Sequence, residues 1–134
     1  MSMSGTSRCR MISVAPDPVR LAEIRRFVEE TALEAALDEE KIFDLKVAVS
    51  EACANAVEHS GGDHAPLEIC AFVYSDRIVI EVSDSGDFRV PAAQLRSGRD
   101  NRGLGFPLMV ALMDEVCISK TPRGGTKVAL ALLL

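Results

Sequence analysis

The sequence predicts a two-layer α+β sandwich, in which helices cover one face of a mixed, mostly antiparallel sheet. Three stretches repeat apolar residues at the helical period, at about 18–37, 39–60 and 104–113. Two stretches alternate apolar and polar residues around a short polar turn, as antiparallel hairpins do, at 67–74 and 78–83. Shorter apolar runs supply the remaining strands, at 9–14, 115–119 and 126–133.

Length and composition fit one globular domain. The chain has 134 residues, of which 48% are hydrophobic, enough for a core at this size. We expect residues 1–8 to be a disordered or tag-like N-terminus and residues 9–134 to form a single domain. The net charge of −5 lacks the basic surface that phosphate binding needs, so direct nucleic-acid binding is not expected.

Several features favour a cytoplasmic location without membrane attachment. No apolar run approaches the ~20 residues needed to span a membrane, and the first residues lack the apolar segment of a signal peptide. The cysteines form no CxxC motif and no zinc-ligand spacing; they are Cys9, Cys53, Cys70 and Cys117. Three of the four lie in apolar periodic runs, so we expect reduced thiols in the core.

The first helix begins at Asp17 and Pro18, because a carboxylate caps free backbone N–H groups and proline suits the first turn. It should run to about Leu37. Its buried side is expected to hold four residues, which are Leu21, Ile24, Val28 and Leu33. The opposite face is charged. We expect that face to be solvated, or alternatively to place Arg20 against a protein partner.

The second helix, capped by Asp38, carries two separate stripes. Its apolar stripe comprises Leu45, Ala48, Val49, Ala52, Cys53 and Ala56. Its polar stripe places Glu51, Asn55 and His59 four residues apart on one helix face. Asparagine is roughly 0.6 kcal/mol worse than alanine in a helix, so mid-helix Asn55 is a small cost without an obvious structural return. The helix should end at Gly61, which suits a left-handed C-cap.

The longest irregular connection runs from Asp84 to Arg102 and is rich in Gly, Asp and Arg. Such a connection inside a compact domain is usually functional or mobile. The third helix follows from Leu104 to Met113, where Pro107 is tolerated only in the first turn. A turn at 121–125 then precedes the last strand.

Four short segments at the ends of these elements are polar or rich in glycine. They are Glu51 with Asn55, Asp84-Ser85-Gly86, Arg102-Gly103-Leu104-Gly105, and Gly124-Gly125-Thr126. Each alone is weak, because Asp-x-Gly is a common turn and Gly-x-Gly before a helix often serves only packing. Their chemical roles nevertheless complement one another.

Two of the segments suit a purine base and its phosphates. The Asp84 carboxylate can accept a hydrogen bond from an exocyclic amine such as that of adenine. Gly86 lets the backbone approach a flat ring closely. Gly103 and Gly105, at a helix start, would expose backbone N–H groups to phosphate.

The helical pair suits metal binding and proton transfer. Asn55 offers a neutral oxygen to Mg²⁺, which takes few protein ligands beside phosphate oxygens. Glu51, one turn earlier, stands where a general base could meet an attacking hydroxyl or water.

This ordered set resembles the GHKL ATPase module shared by gyrase, the Hsp90 chaperone, histidine kinases and the MutL repair protein. Glu51–Asn55 looks like its first motif, Asp84-x-Gly86 its second and Gly103-x-Gly105 its third. Gly124-Gly125-Thr126 looks like its last motif. The segments EACANAVEHS, VSDSGDF and RGLGFPLMVALMDEV are very similar to small serine kinases that act as bacterial anti-sigma factors, the SpoIIAB/RsbW type. The resemblance covers roughly residues 10–134.

The resemblance implies the Bergerat fold, a histidine-kinase-like ATPase sandwich, and an ATP-dependent protein-serine kinase. Asn55 would hold Mg²⁺ against ATP, and Glu51 would deprotonate a serine of an antagonist protein. The other implied nucleotide contacts are Asp84, Gly86, Arg102, Gly103, Leu104, Gly105 and Thr126. A homodimer would bind a sigma factor in one state and phosphorylate an anti-anti-sigma (STAS-type) protein in the other.

The resemblance also implies a lid over the phosphates, from about Pro91 to Arg102. Arg99 and Arg102 are candidates for phosphate contact in this lid. The alternative is that both are solvated lid arginines.

One position departs from the family pattern, and two readings besides the kinase stay open. The second motif is often Asp-x-Gly-x-Gly, but here Asp87 follows Gly86 and Phe88 stands at the position of the last glycine, a departure that could weaken ATP binding. No separate phosphoacceptor-histidine helix occurs; His59 is expected to be structural and His64 carries no signal. Asp87 mildly favours a non-catalytic ATP-binding module that sequesters a partner. A purely structural domain would leave the pairing of Glu51 with Asn55 unexplained.

Overall fold

The computed structural model describes residues 8–58, 65–84, 105–122 and 124–134. Within these ranges five strands occur: β1 (Arg8–Val14), β2 (Leu67–Val73), β3 (Arg77–Asp84), β4 (Glu115–Lys120) and β5 (Thr126–Leu133). The α-helices of the same ranges are α1 (Leu21–Glu34), α2 (Glu39–Glu58) and α3 (Gly105–Leu112), and a 3₁₀ turn at Pro18–Arg20 leads into α1. None of these described helices is long and apolar enough to cross a membrane.

The five strands form one sheet in the order β1-β2-β3-β5-β4. Every pairing among the described strands is antiparallel, so the sheet is simpler than the mixed one expected from the sequence. The predicted β2–β3 hairpin is confirmed, and its turn is closed by the Tyr74 N–H donating to the Arg77 carbonyl at 2.8 Å. β5 lies between β3 and β4, so the last strand pairs with the second strand of the β2–β3 hairpin.

The core lies between one face of this sheet and the helices. Ile69, Ile80 and Leu130 on three neighbouring strands are fully buried on that face. From the helical side, Val28 of α1 and Leu45 of α2 are also fully buried. Each such side chain contributes roughly 1.5–3 kcal/mol by leaving water. α2 packs against both α1 and α3, so it is the central element of the helical layer.

The first helical segment begins at Asp17 and Pro18 as predicted, but as a 3₁₀ turn; the α-helix itself starts at Leu21, and its end also differs from the prediction. The Asp17 carboxylate accepts a hydrogen bond from the Val19 N–H at 3.0 Å. The α-helix stops at Glu34, before Leu37, because Ala36 adopts a left-handed conformation with φ of 62°. The prediction that Leu33 is buried was also wrong: it lies five residues after Val28, about 140° around the helix, and its side chain is 59% exposed.

The buried face of α1 is completed by residues that the periodicity did not single out. Phe27, Thr31 and Ala32 join Ile24 and Val28 there. Thr31 is tolerated because its hydroxyl donates a hydrogen bond to the Phe27 carbonyl at 2.9 Å.

The four cysteines are free, but only Cys53 lies in the core. Cys9 and Cys117 are exposed, and Cys70 is half-buried. The prediction of core thiols was therefore wrong for three of the four. The reason is the two-residue period of a strand: Ile69 and Ala71 face the helices, so Cys70 between them points to the uncovered side of the sheet.

Candidate functional site

Glu51 and Asn55 share the partly exposed side of α2. The Asp38 carboxylate accepts a hydrogen bond from the Lys41 N–H at 2.9 Å, which confirms the predicted cap of this helix. The opposite side of the helix is buried as predicted, through Leu45, Ala48, Val49, Ala52, Cys53 and Ala56. Glu51 and Asn55 are half-buried and lie one turn apart, about 6 Å along the helix axis. α2 thus presents a carboxylate and an amide side by side.

The second and last sequence motifs meet at the end of the β3–β5 ladder. Asp84 is the final residue of β3 and lies directly opposite Thr126, the first residue of β5. Side chains so paired lie about 5 Å apart at their Cβ atoms. Thr126 is only 3% exposed, whereas Asp84 is half-buried and can still be reached.

The corner formed by Asp84 and Thr126 lies close to the buried Cys53 thiol of α2. Burial raises the pKa of the Cys53 thiol to about 12, and the negative charge of Asp84 adds to the rise. An electrostatic effect of this kind requires the two groups to be close. The Asp84 carboxylate therefore lies near Cys53, on the face of α2 that packs on the sheet.

A tight turn positions Thr126. Gly124 has a φ of 90°, in the left-handed region that favours glycine. The Thr121 carbonyl accepts a hydrogen bond from the Gly124 N–H, and the Thr121 hydroxyl accepts one from the Gly125 N–H, both at 2.9 Å. A Cβ at Gly124 would meet no atom within 4 Å, so the backbone angle rather than crowding explains this glycine. The turn fixes the point at which β5 enters the sheet.

α3 lies against α2 and begins at Gly105, one residue later than predicted. Pro107 stands in its first turn, as the sequence required. The fully buried Met109 anchors this helix to the core. The start of α3 consequently belongs to the layer that holds Asn55.

Five of the predicted site residues fall in the described ranges: Glu51, Asn55, Asp84, Gly105 and Thr126. The fold brings Asp84 into register with Thr126 and close to α2, and packs the helix that starts at Gly105 against α2. The other predictions lie outside the described residues: Gly86, Arg102, Gly103 and Leu104, the lid at 91–102, Asp87, His59 and His64.

The Asn55 amide suits a metal ion that arrives with a nucleotide. Mg²⁺ prefers oxygen ligands and commonly takes one or two from the protein, leaving the others to phosphate oxygens and water. A half-buried, uncharged amide oxygen beside a carboxylate fits that requirement. The part of the chain that the structure describes contains no group of three or more His, Cys, Asp or Glu side chains able to hold a metal.

A groove beside Glu51 was not predicted from the sequence. This α1–α2 groove has a volume of about 360 Å³ and is lined by Arg25, Phe43, Lys46, Val47, Ser50 and Glu51. Phe43, Val47 and Glu51 follow one another at four-residue spacing on α2. This four-residue spacing was the signal for the groove that the sequence contained. It extends the Glu51–Asn55 stripe toward the start of α2, where the residues on the same face are apolar.

A family model described as the histidine kinase-like ATPase domain matches residues 14–132. The chain is 41% identical over 96 residues to the serine-protein kinase RsbW of Bacillus pumilus, and the match covers 58% of this chain and 57% of that relative's length. It is 35% identical over 97 residues to the anti-sigma F factor of Caldanaerobacter subterraneus subsp. tengcongensis, covering 66% and 68% of the two chains.

Among solved structures, the chain resembles the RsbU and RsbW domains of a Mycobacterium tuberculosis protein with a TM-score of 0.72. The two share 21% sequence identity, over 95% of this chain and 33% of that chain. A likeness at this identity concerns the fold, and it confirms the histidine-kinase-like ATPase sandwich expected from the sequence.

Proposed function

The chain belongs to the histidine kinase-like ATPase domain family, and from that premise we propose that it is an ATP-dependent protein-serine kinase and an anti-sigma factor. It binds a sigma factor in one state and phosphorylates a serine of a STAS-type anti-anti-sigma protein in the other. The observation that carries the proposal is the pair Glu51 and Asn55, half-buried side by side on α2 near the Asp84–Thr126 corner. Similarity to RsbW and to an anti-sigma F factor supports it.

The adenine base is assigned to the Asp84–Thr126 corner. The Asp84 carboxylate accepts a hydrogen bond from the exocyclic amine, and a charged acceptor strengthens that bond. Thr126 lies opposite and is buried, so it closes the pocket at this end. Gly86, directly after β3, is proposed to let the backbone contact the ring.

The phosphates are assigned to the space between Asn55 and the start of α3. Asn55 would hold Mg²⁺, which supplies charge neutralisation at the phosphates when it is bound. Helix N-termini present free N–H groups and a partial positive charge to anions. Gly105 would contribute from this helix start, and the preceding segment Arg102-Gly103-Leu104 would complete the contacts.

Glu51 is assigned the proton transfer. Its carboxylate accepts the proton of the substrate serine hydroxyl as the serine oxygen bonds to the γ-phosphorus of ATP. The bond between the γ-phosphorus and the β,γ-bridging oxygen breaks, and ADP leaves with that electron pair. A positioned base contributes about 10²–10⁴-fold to such a step, beside positioning and charge stabilisation.

A second candidate is a binding module that holds ATP and its protein partner without transferring phosphate. The observation in its favour is Asp87 with Phe88, because a negative charge and an aromatic side chain stand where the family motif often ends in glycine. Glu51 favours the kinase, because nucleotide binding alone does not need a base at that position.

The test is transfer of labelled phosphate from Mg-ATP to the purified antagonist protein. The kinase reading predicts one phosphoserine per antagonist, formed only with this protein present. Binding of ATP and antagonist without labelling would select the binding module. Failure to bind any nucleotide would contradict both readings.

We expect a homodimer that works in the cytoplasm, where ATP and sigma factors are present. Sedimentation equilibrium on the purified protein should give twice the chain mass, and a monomer at micromolar concentration would contradict the dimer.

A further inference from the structure

The α1–α2 groove has an apolar surface next to Glu51, the carboxylate proposed as the general base. Phe43 is 65% exposed although it is aromatic, and the half-buried Val47 lies one turn further along α2. Glu51 closes the same groove another turn on. Single exposed apolar residues are ordinary, but an exposed aromatic ring in a cleft beside a reactive group is typical of a binding surface.

The groove is also lined by one positively charged side chain, Arg25, that has no counter-ion among the described residues. Lys46 pairs with Glu29 across the two helices at 2.7 Å, so its charge is already balanced. Arg25 has neither an ion pair nor a hydrogen bond with any residue in the described ranges. In a chain with a net charge of −5, this is a local site for a carboxylate.

One further polar group in the groove wall lacks a partner. The Ser50 hydroxyl oxygen is buried and makes no hydrogen bond within the described part of the chain. Buried polar atoms are normally paired, so this one calls for an explanation. Rotation of the Ser50 side chain about its Cα–Cβ bond would offer the hydroxyl to a backbone lying in the groove.

We propose that the α1–α2 groove receives the segment of the protein substrate that carries the phosphorylated serine, an inference that rests on the proposed kinase function. The nucleotide lies beyond Glu51, toward Asn55 and α3, while the acceptor segment lies on the side of α1. Glu51 stands between them, where the serine hydroxyl meets the γ-phosphate.

The spacing of the groove residues specifies the acceptor segment. Phe43 precedes Glu51 by eight residues, about 12 Å along the helix axis. An extended chain covers that distance in three to four residues at about 3.3 Å each. The segment therefore carries an apolar side chain three or four residues from the serine, seated on Phe43 and Val47. A carboxylate on the same segment pairs with Arg25.

The test is steady-state phosphorylation of the STAS-type antagonist that the wild-type chain labels, with the antagonist concentration varied. Phe43→Ala should raise the KM for the antagonist at least about tenfold, as loss of an aromatic anchor does, with little change in kcat. The matched control is Met11→Ala on the sheet, because Met11 is 61% exposed and lies outside the groove. Arg25→Ala should raise the same KM, whereas its neighbour Arg26, which does not line this groove, provides the control Arg26→Ala.

The KM for ATP separates this inference from a general loss of activity, and it should stay within about twofold in all four variants. Antagonist KM values of Phe43→Ala and Arg25→Ala within twofold of wild type would overturn the inference and leave the kinase intact. A changed KM for ATP would also overturn it, since the groove would then serve the nucleotide. A wild-type chain that labels no antagonist would remove the kinase and this inference together.

Discussion

Asp84 and Thr126 are direct partners at the end of the β3–β5 ladder, where the hairpin strand ends and the last strand begins. Burial raises the pKa of the Cys53 thiol on α2, and the charge of the same Asp84 adds to that rise. Asp84 therefore lies at the end of the sheet and within electrostatic reach of α2. The base pocket proposed at this corner would be bounded by regular secondary structure, which favours a fixed orientation of a bound base.

Replacing Asp84 with asparagine should relax the choice between adenine and guanine. A carboxylate only accepts hydrogen bonds and suits the adenine amine, whereas an amide can also donate to the guanine carbonyl. We expect Asp84→Asn to weaken ATP binding by roughly tenfold or more and to narrow the gap between ATP and GTP. Calorimetric titration with both nucleotides measures this. The control is Asp76→Asn in the exposed hairpin turn, and an unchanged preference in Asp84→Asn would remove it from the base pocket.

Replacing Asn55 with alanine should abolish Mg²⁺-dependent ATP binding without unfolding the protein. Alanine is the better helix former by roughly 0.6 kcal/mol, so the melting temperature should stay the same or rise. A fall in affinity combined with equal or greater stability is the signature of a residue kept for binding. Titration with ATP in the presence and absence of Mg²⁺ gives the affinity, and the exposed Glu58→Ala on the same helix is the control. Unchanged Mg-ATP affinity would remove Asn55 from the metal site.

The end of α1 offers a stability prediction that is independent of function. Ala36 has a φ of 62°, which costs a residue with a Cβ about 1 kcal/mol relative to glycine. Ala36→Gly should therefore raise the melting temperature by roughly 4 °C. Ala35, the preceding residue, has a φ of −84°, so Ala35→Gly should instead destabilise by about 0.5–1 kcal/mol. Thermal melts of both variants with the same sign of change would contradict this account of the helix end.

The Cys53 thiol predicts how stability responds to alkaline pH. Its pKa is raised from 9.0 to about 12, so above pH 9 the thiol ionises in the unfolded chain while it stays neutral in the folded one. This ionisation favours unfolding, and stability is lost as pH rises from 9 towards 12, by about 1.4 kcal/mol per unit. Cys53→Ala lacks this loss. The amount by which its free energy of unfolding is lower than that of wild type should therefore decrease by about 2 kcal/mol between pH 8 and 10.5.

Urea unfolding of wild type and Cys53→Ala at the two pH values measures that change. Cys117→Ala, which removes an exposed thiol, serves as the control. A deficit that is the same at pH 8 and pH 10.5 would mean that the thiol is not held neutral by the fold.

Local signals in the sequence were sufficient for most of the fold. Asp17 caps the 3₁₀ turn that leads into α1, and Asp38 caps α2; both could be predicted because a side-chain cap depends on residues two or three positions away. The β2–β3 hairpin also followed from alternation around a short turn. In the site, the four-residue spacing of Glu51 and Asn55 placed both on one face of α2.

Other features depend on contacts that are distant in sequence and could not be predicted. The left-handed Ala36 carries no glycine signal, so the end of α1 was missed. Apolar residues occur on both faces of the strands, so the sequence did not show that Cys70 points away from the helices. The register that pairs Asp84 with Thr126 and the groove between α1 and α2 both require the assembled fold.

The central claim is that Glu51 accepts a proton during phosphoryl transfer, which distinguishes a kinase from a module that only binds. Glu51→Gln keeps the shape of the side chain and removes its basicity. We therefore expect this variant to bind Mg-ATP and the antagonist about as well as wild type. Glu58→Gln neutralises an exposed carboxylate on the same helix and should leave transfer unchanged.

The most direct measurement is single-turnover transfer of labelled phosphate from ATP to the purified antagonist, with binding of both partners checked in parallel. We expect Glu51→Gln to lower the transfer rate by at least about two orders of magnitude at unchanged affinities, and Glu58→Gln to match wild type. Transfer by Glu51→Gln at the wild-type rate would contradict the assignment of Glu51 as the base.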